Sequence, residues 1–419
     1  MESKSLLICL LLSFAIFASL IPAGMAEDVI ERQETAKNVI LLIGDGMGFP
    51  HLTSARIEKA DNNLTAYADT ELYMDNMEHT GYVTTFSANS FVTDSAPAAT
   101  SMATGHKTNN GVLSQDATAH KGKDGKNLTT ILEMAESANK STGVVTTTRV
   151  THATPAAFYA HVDNRDNESE IADQLLASNA EVAMGGGLKF FVGKNETDPL
   201  GGKSKRSDDR DLLVEFGKKG YAIVYNESAL MALAANSTVK VLGLFDNDHM
   251  KYELEREGSG EPSVAEMTTK ALEVLSKDED GFFLMVEGGR IDHASHARNL
   301  SNNLGDTLAF DDAVKVALDF AAKNNDTLVI VTADHECGGF VLQPADLETY
   351  EASGVDPIFA SGMITNPRSY NFTAGDEATH TAVDVPIMAS GPGSEKVGHG
   401  KLDNTQIFSI MKEAFGFQL

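Results

Sequence analysis

The chain has 419 residues, of which 42% are hydrophobic, so it can bury a sizeable core, and single α/β domains of this length are ordinary. Its formal net charge of -27 disfavours nucleic acid as a partner, since a phosphate backbone would be repelled. A small anionic substrate would also be repelled by the surface at large. Any phosphate site therefore needs concentrated positive charge, for which metal ions are the obvious source.

The N terminus has the pattern of a secretory signal over residues 1–26. Lys4 precedes an apolar run at 6–21, and Gly24 and Ala26 place small residues at the cleavage positions. The alternative is an uncleaved membrane anchor. No second apolar segment approaches the length of a membrane span, so we expect no integral span after removal of the signal. We therefore predict a secreted or extracytoplasmic protein, in the periplasm or at the cell surface.

Cysteine and asparagine usage fit that compartment. Cys9 lies within the signal, so the mature chain would hold one thiol, Cys337, and no intrachain disulfide. Acceptor triplets for N-glycosylation are denser than chance predicts and indicate a glycoprotein. The alternative is a polar surface that contains such triplets incidentally. The acceptors are Asn63, Asn127, Asn139, Asn167, Asn195, Asn226, Asn236, Asn299, Asn325 and Asn371.

Short apolar runs alternate with helix-like segments along the rest of the chain. The predicted strands are Asn38–Ile43, Gly143–Thr147, Glu181–Met184, Tyr221–Tyr225, Lys240–Phe245, Phe282–Val286, Thr327–Thr332 and Pro386–Ala389. The predicted helices include Leu128–Ala138, Glu170–Ser178, Ser263–Leu275 and Asp311–Lys323. Continuous apolar strands between helices predict an α/β fold with a large, mostly parallel sheet sandwiched by helices. Residues 344–376 read as an insertion, a small lid or subdomain.

The segment around Ser95 is the first that could take part in a reaction. Asp94 and Ser95 stand where a strand-like run gives way to an Ala-rich helical run. The start of a helix favours anions, so it would stabilise both a serine alkoxide and a bound phosphate. Taken alone, an Asp-Ser pair before a helix is most often only a helix cap.

Polar clusters also follow the predicted strands, where open α/β sheets place their ligands. Asp45 lies between two glycines after the first strand, in what could be a plain turn. Glu287 ends a very apolar strand, where a carboxylate is costly to bury unless it is paired or bound to a metal. Asp292 and His296 are four residues apart, so a helical turn aims both at one ion.

The next strand ends in Asp334 and His335, an oxygen–nitrogen pair suited to zinc. Cys337 could supply a thiolate, although a buried thiol is the preferred interpretation. His380 stands alone in a polar loop and is uninformative by itself. Thr154 can offer a hydroxyl to a magnesium-like ion, and Arg165 the forked donors that suit phosphate.

Together these segments closely resemble the alkaline phosphatase family, in the family's order, from Asn38 to about Val397. The resemblance implies one catalytic domain over residues 27–419, a crown-like insertion, and homodimers. It implies two Zn2+ and one Mg2+ and small phosphate monoester substrates. Ser95 would be the phosphorylated nucleophile and would also be a metal ligand. Arg165 would bind the phosphate. The remaining implied ligands are Asp292, His296 and His380 for the first zinc, Asp45, Asp334 and His335 for the second, and Asp45, Thr154 and Glu287 for the magnesium.

The chain departs from the enteric bacterial pattern at two positions. His152 and His293 replace an aspartate and a lysine, as in the animal branch, and we place them with Asp94 around the ligands rather than among them. The identity of the third ion, magnesium or another, therefore stays open. Phe245, Asp246 and Glu261 also resemble the animal branch, where such residues bind calcium; they predict a fourth, structural ion here.

Two other functions stay open at this point. A phosphodiesterase or phosphomutase of the same superfamily would share the paired-metal ligands. A non-catalytic glycosylated surface protein would use the ions for structure alone. The monoesterase is favoured because Thr154, Glu287 and Arg165 together serve the third ion and the free phosphate oxygens.

Overall fold

The computed structural model describes residues 35–61, 63–234, 240–342, 370–371 and 379–417. The predicted signal at 1–26 lies outside these residues, as do Cys9, Asn236 and the predicted insertion at 344–376 apart from 370–371. Among the described helices, none is both long enough and apolar enough to cross a bilayer.

The centre of the molecule is a ten-stranded sheet with the strand order β14-β2-β13-β8-β1-β7-β3-β4-β6-β5. Only β13 runs antiparallel to its neighbours in this sheet. Two short antiparallel pairs, β9 with β12 and β10 with β11, lie outside it. The strands are β1 Asn38–Gly44, β2 His79–Thr84, β3 Ser141–Arg149, β4 Val182–Gly186, β5 Tyr221–Val224, β6 Lys240–Leu244, β7 Phe282–Gly288, β8 Thr327–Ala333, β9 Glu336–Cys337, β10 Val341–Leu342, β11 Tyr370–Asn371, β12 His380–Thr381, β13 Val385–Ser390 and β14 Lys401–Asp403.

Helices flank the sheet, so the predicted α/β class is confirmed. The predicted start of the helix Asp311–Lys323 is wrong. The helix begins earlier, at Leu300, because Asn299 caps it there. The α-helices are α1 Phe49–Lys59, α2 Leu64–Tyr67, α3 Ser95–Thr104, α4 Ile131–Ser137, α5 Ala153–Ala156, α6 Glu168–Ala177, α7 Leu212–Lys218, α8 Glu227–Met231, α9 Val264–Leu275, α10 Arg290–His296, α11 Leu300–Ala321 and α12 Thr405–Ala414.

Strand register brings the polar segments to one edge of the sheet. The strand β1 lies between β7 and β8 and is parallel to both, with Gly44 opposite Gly288 and Ala333. All three strands are completely buried. The residues that follow them, including Asp45 and Asp334, therefore emerge side by side at the carboxyl edge.

One buried carboxyl group on α11 predicts a pH-dependent stability. Burial raises the pKa of Asp306 from its ordinary 3.8 to about 8, although the Glu253 N–H donates to it at 3.2 Å. Because the folded pKa is raised, the neutral acid stabilises the protein at low pH, and this contribution is lost as pH rises towards 8. We expect Asp306→Asn to remove a slope of roughly 1.4 kcal/mol per pH unit from the unfolding free energy between about pH 4 and 8.

Denaturant titrations at several pH values would measure this difference. The matched control is Asp319→Asn, since Asp319 lies on the same helix but is exposed and paired with Lys315. Parallel pH dependences of wild type and Asp306→Asn would contradict the prediction.

Candidate active site

Ser95 is the first residue of α3, and its side chain lies where the unpaired N–H groups of the helix converge. Asp94 caps the helix, accepting a hydrogen bond from the Ala96 N–H at 2.7 Å. Ser95 is buried, and its Oγ lies 3.2 Å from Nε2 of His335. The structure thus places the hydroxyl against a predicted metal ligand.

Asp45 is a completely buried carboxylate at the carboxyl end of β1. Within the part of the chain that the structure describes, neither of its oxygens has a hydrogen-bond partner. Burial, reinforced by the charges of Asp334, Asp292 and Glu287, raises the pKa of Asp45 well above its ordinary value. Four converging carboxylates are too costly to bury as charged groups without cations among them.

The first predicted ligand set converges closely. Asp292 and His296 lie one turn apart on α10, and β12 brings His380 beside them. The carboxylate of Asp292 lies 3.3 Å from Nε2 of His296 and 3.4 Å from Nε2 of His380, and the two imidazole nitrogens are 3.1 Å apart. Tetrahedral zinc, with bonds of about 2.0 to 2.3 Å, spaces its ligands about 3.3 to 3.8 Å apart. The two distances to the Asp292 carboxylate match this spacing and the distance between the imidazoles is slightly shorter, so this set of donors suits a zinc ion.

A backbone contact orients one of these imidazoles. Nδ1 of His380 lies 2.9 Å from the carbonyl oxygen of Thr93, which can only accept a hydrogen bond. The Nδ1–H therefore donates to Thr93, which leaves Nε2, beside Asp292 and His296, as the nitrogen that can bind an ion. This arrangement is typical of metal-binding histidines.

The second predicted set, Asp45, Asp334 and His335, also converges. Nε2 of His335 lies 3.6 Å from Asp45 and 3.1 Å from Asp334. The turn after β1 supports this geometry, because Gly46 has a φ of +72° and donates its N–H to Asp334 at 3.1 Å. A second cation between these groups would meet two carboxylates and one imidazole, with the Ser95 hydroxyl next to it.

At the third predicted site Asp45 and Glu287 come together, and His152, which was placed outside the ligand set, lies within 4.8 Å of both. Glu287 is fully buried and accepts hydrogen bonds from the hydroxyls of Thr146 and, at 3.1 Å, Thr148. Burial raises the pKa of Glu287 to about 7, while the hydroxyls of Thr146 and Thr154 oppose this rise. Sequence reasoning found Glu287 and Thr154 but missed Thr146 and Thr148, which β3 supplies.

Arg165 is joined to the nucleophile segment through Asp94. Its guanidinium lies 3.2 Å from the Asp94 carboxylate and 3.0 Å from Nε2 of His152. The Arg165 side chain is about one-fifth exposed, so it can reach a ligand that enters from solvent. The predicted phosphate-binding cation is therefore held between the start of α3 and the third set of ligands.

Comparison with known proteins agrees with this geometry. The family model described as alkaline phosphatase matches residues 36–358. The chain is 33% identical to alkaline phosphatase 3 of Bacillus subtilis, covering 99% of this chain and 98% of that protein. It is 38% identical to the tissue-nonspecific alkaline phosphatase of Rattus norvegicus, covering 90% and 83%. The chain belongs to the alkaline phosphatase family.

A solved alkaline phosphatase has the same fold. The enzyme from the Antarctic bacterium TAB5 superposes with a TM-score of 0.74 at 31% identity, covering 92% of this chain and 99% of that one. Histidine-to-aspartate and histidine-to-glutamate variants of that enzyme were solved with magnesium bound in the site called M3. Alkaline phosphatases depend on metals, in agreement with the ligand clusters of this chain.

In this alkaline phosphatase a third histidine joins His152 and His293. His249 follows β6, and ligand atoms of the three imidazoles lie within 4.8 Å of one another. Each ring also contacts a guanidinium: His152 that of Arg165, His293 that of Arg290, and His249 that of Arg149. Sequence reasoning missed His249, because a lone histidine in a polar loop carries no spacing signal.

Two of the predicted calcium ligands, Asp246 and Glu261, contact the same lysine in this member of the family. The Lys251 ammonium lies 3.4 Å from Asp246 and 3.6 Å from Glu261. Burial raises the pKa of Glu261 to about 7. A calcium ion would have to displace the ammonium of Lys251 from between the two carboxylates, so the fourth ion stays a prediction.

Proposed function

We propose that this alkaline phosphatase hydrolyses small phosphate monoesters with Ser95 as the nucleophile. The observation that carries the proposal is the position of the Ser95 hydroxyl at a helix N terminus, 3.2 Å from Nε2 of His335, which in turn lies 3.6 Å from the buried carboxylate of Asp45. Nucleophile, cation sites and phosphate-binding arginine then lie at one edge of the sheet.

Three ions complete the proposed site. Zn2+ would be held by Asp292, His296 and His380, and a second Zn2+ by Asp45, Asp334 and His335, with Ser95 next to it. A third ion, Mg2+ or another divalent ion, would be held by Asp45, Thr154 and Glu287. In the TAB5 enzyme, magnesium is bound in the site called M3 in variants that carry aspartate or glutamate in place of a histidine. When bound, these ions supply the positive charge that lowers the pKa of the Ser95 hydroxyl and stabilises the attacking and leaving oxygens.

The protein groups then act in two displacements. Ser95 Oγ, having lost its proton, attacks phosphorus; the bond to the ester oxygen breaks, and the alcohol leaves. Water next attacks the phosphoserine, and inorganic phosphate is released as the Ser95 hydroxyl re-forms. Arg165 binds the non-bridging oxygens throughout, and Asp94 and His152 hold its guanidinium in place.

We further propose where the protein acts and in what state. The N-terminal pattern at 1–26 and the family support secretion into an extracytoplasmic space, with glycosylation at some of the acceptor asparagines. The family also supports a homodimer. A calcium ion at Phe245, Asp246 and Glu261 remains a separate hypothesis.

Matched mono- and diester substrates test the proposed reaction. We expect metal-loaded protein to hydrolyse p-nitrophenyl phosphate far faster than bis(p-nitrophenyl) phosphate at alkaline pH. In the proposed mechanism Arg165 donates hydrogen bonds to the non-bridging phosphate oxygens, which carry more negative charge in a monoester than in a diester. Replacing Arg165 by alanine removes these donors. We expect this change to lower kcat/KM for the monoester by about 100-fold and to affect the diester less.

The control is Arg256→Ala. Among the described residues Arg256 contacts Glu253, Glu266 and the carbonyl oxygen of Glu261, none of which is a proposed ligand of the three ions at the phosphatase site. A diester rate equal to or above the monoester rate would contradict the proposal. It would support a phosphodiesterase on the same framework instead.

A further inference from the structure

An exposed aromatic side chain precedes the proposed nucleophile by one turn's length of chain. Phe91, four residues before Ser95, is 85% exposed, and Val92 beside it is 39% exposed. The next residue, Thr93, is buried, and Asp94 then caps α3. The chain therefore passes from two apolar, solvent-facing residues, the exposed pair, to the proposed nucleophile within five residues.

Hydrogen bonds hold the exposed pair in place. The side-chain amide of Asn110 donates to the carbonyl oxygen of Val92 at 3.1 Å. The Asn110 N–H in turn donates to the side-chain oxygen of Asn89 at 3.0 Å. Because the backbone of Phe91 is braced from both sides, a ligand that contacts its ring pays little for ordering the chain.

The proposed site opens to solvent on one side. The side chains of His296, His380 and Arg165 are 36%, 15% and 21% exposed, whereas that of His335 is completely buried. The phosphoryl group of a substrate has to reach the buried Ser95. The alcohol part of a bound monoester must therefore extend outwards, past the three partly exposed side chains.

The backbone of the exposed pair is tied to two of these side chains' residues. The Nδ1–H of His380 donates to the carbonyl oxygen of Thr93 at 2.9 Å, and Thr93 directly follows the pair. The Arg165 N–H donates to the carbonyl oxygen of Gly111 at 2.8 Å, next to the Asn110 that holds the pair. The exposed pair therefore borders the opening through which the alcohol part extends.

We propose that Phe91 and Val92 contact the alcohol part of the substrate and make the enzyme selective for monoesters of apolar, above all aromatic, alcohols. The proposal rests on the proposed function, because it concerns the substrate of that same site. An aromatic ring placed against Phe91 removes apolar surface from water, and paired rings gain further from stacked or edge-to-face contact. A small alcohol buries little such surface, so its ester should depend little on Phe91.

Substitution of Phe91 tests this selectivity. The values of kcat/KM for naphthyl phosphate and ethyl phosphate are measured for the metal-loaded wild type and for Phe91→Ala. The intrinsic reactivity of each ester cancels when the two proteins are compared. We expect a loss of about fivefold for the naphthyl ester, carried by KM rather than kcat, and of less than about twofold for the ethyl ester. Phe91→Leu should restore part of the loss.

Phe86→Ala is the matched control. Phe86 lies in the same loop and is 42% exposed, but its ring packs against the ammonium group of Lys107 at 3.8 Å. Lys107 follows the end of α3, whereas Ser95 begins this helix. We expect Phe86→Ala to leave the ratio between the two esters unchanged. An equal effect of Phe91→Ala on both esters would overturn the proposal.

Binding and molar mass distinguish the remaining outcomes. Calorimetry with naphthylmethylphosphonate and methylphosphonate needs no turnover. We expect the wild type to prefer the naphthyl compound and Phe91→Ala to lose this preference; an unchanged preference would reject the contact. If Phe91→Ala changes the molar mass in solution and leaves the ester ratio unchanged, the pair is a contact between copies of the chain, and the proposal is rejected.

Failure of this proposal and failure of the proposed function look different. Turnover of both esters with the same ratio in wild type and Phe91→Ala leaves the phosphatase function standing and rejects the contact. Absence of turnover of either ester by the metal-loaded wild type rejects the function, and the phosphonates alone then decide whether Phe91 binds the aromatic group.

Discussion

Replacing Ser95 by alanine is expected to lower kcat for phosphate monoesters by about 10⁴-fold or more, since the variant has no oxygen to accept the phosphoryl group. Ser95 is buried at the start of α3 with its Oγ beside His335, so the lost methyl-sized oxygen should leave the fold intact. The measurement is steady-state hydrolysis of p-nitrophenyl phosphate by protein loaded with zinc and magnesium.

Ser101→Ala is the matched control for this substitution. Ser101 lies on the same helix, is equally buried, and donates its hydroxyl to the carbonyl oxygen of Pro97 at 2.8 Å, away from the ligand clusters. We expect it to keep near wild-type turnover. Substantial activity of Ser95→Ala, with the metals bound, would reject Ser95 as the nucleophile.

Asp45→Asn is expected to remove two ions together and to lower kcat by about 10³-fold, because Asp45 belongs to both the second and the third ligand sets. Every other predicted ligand belongs to one ligand set only. Elemental analysis after gel filtration measures the bound metal, and the same samples are assayed for hydrolysis.

The control here is Asp311→Asn. Asp311 is also a buried carboxylate, but it accepts hydrogen bonds from the N–H groups of Tyr73 and Met74 and lies in none of the metal-ligand clusters formed by the described residues. Its replacement should cost stability and leave the metal content unchanged. If Asp45→Asn kept its full metal content, the prediction that Asp45 is a ligand of two ions would be contradicted.

The sheet was largely predictable from the sequence, and the reason is its burial. Strands such as β1, β7 and β8 are covered on both faces and appear as continuous apolar runs. Sequence reasoning missed β2, at His79–Thr84, since its burial alternates and it includes His79 and Gly81. It also could not give the direction of β13, because an apolar run reads the same in a parallel or antiparallel strand.

The candidate site was predictable where chemistry coincided with local spacing. Asp292 and His296 are four residues apart, and Asp334 and His335 end a strong strand. His380 lies 84 residues from His296, so no local spacing links the two. Only the family resemblance identified His380 as a predicted ligand.

Other contacts could not be predicted, for a different reason. Cys337 was interpreted as a buried thiol, which the structure confirms, but its burial alone does not show that the β9–β12 ladder pairs it with His380. Thr146 and Thr148 read as ordinary strand residues, and only the register of β3 against β7, with Thr146 opposite Glu287, shows what they hold. Contacts made by pairing between distant strands cannot be seen from one strand's sequence.

The most direct test of the account is to trap the covalent intermediate. Metal-loaded wild type is mixed with p-nitrophenyl phosphate, quenched in acid during turnover, digested, and examined by mass spectrometry. We predict a phosphoryl group on Ser95 in the peptide that begins α3, and none in protein chelated before mixing. Rapid hydrolysis with no phosphate on Ser95 at any quench time would contradict a phosphoserine mechanism.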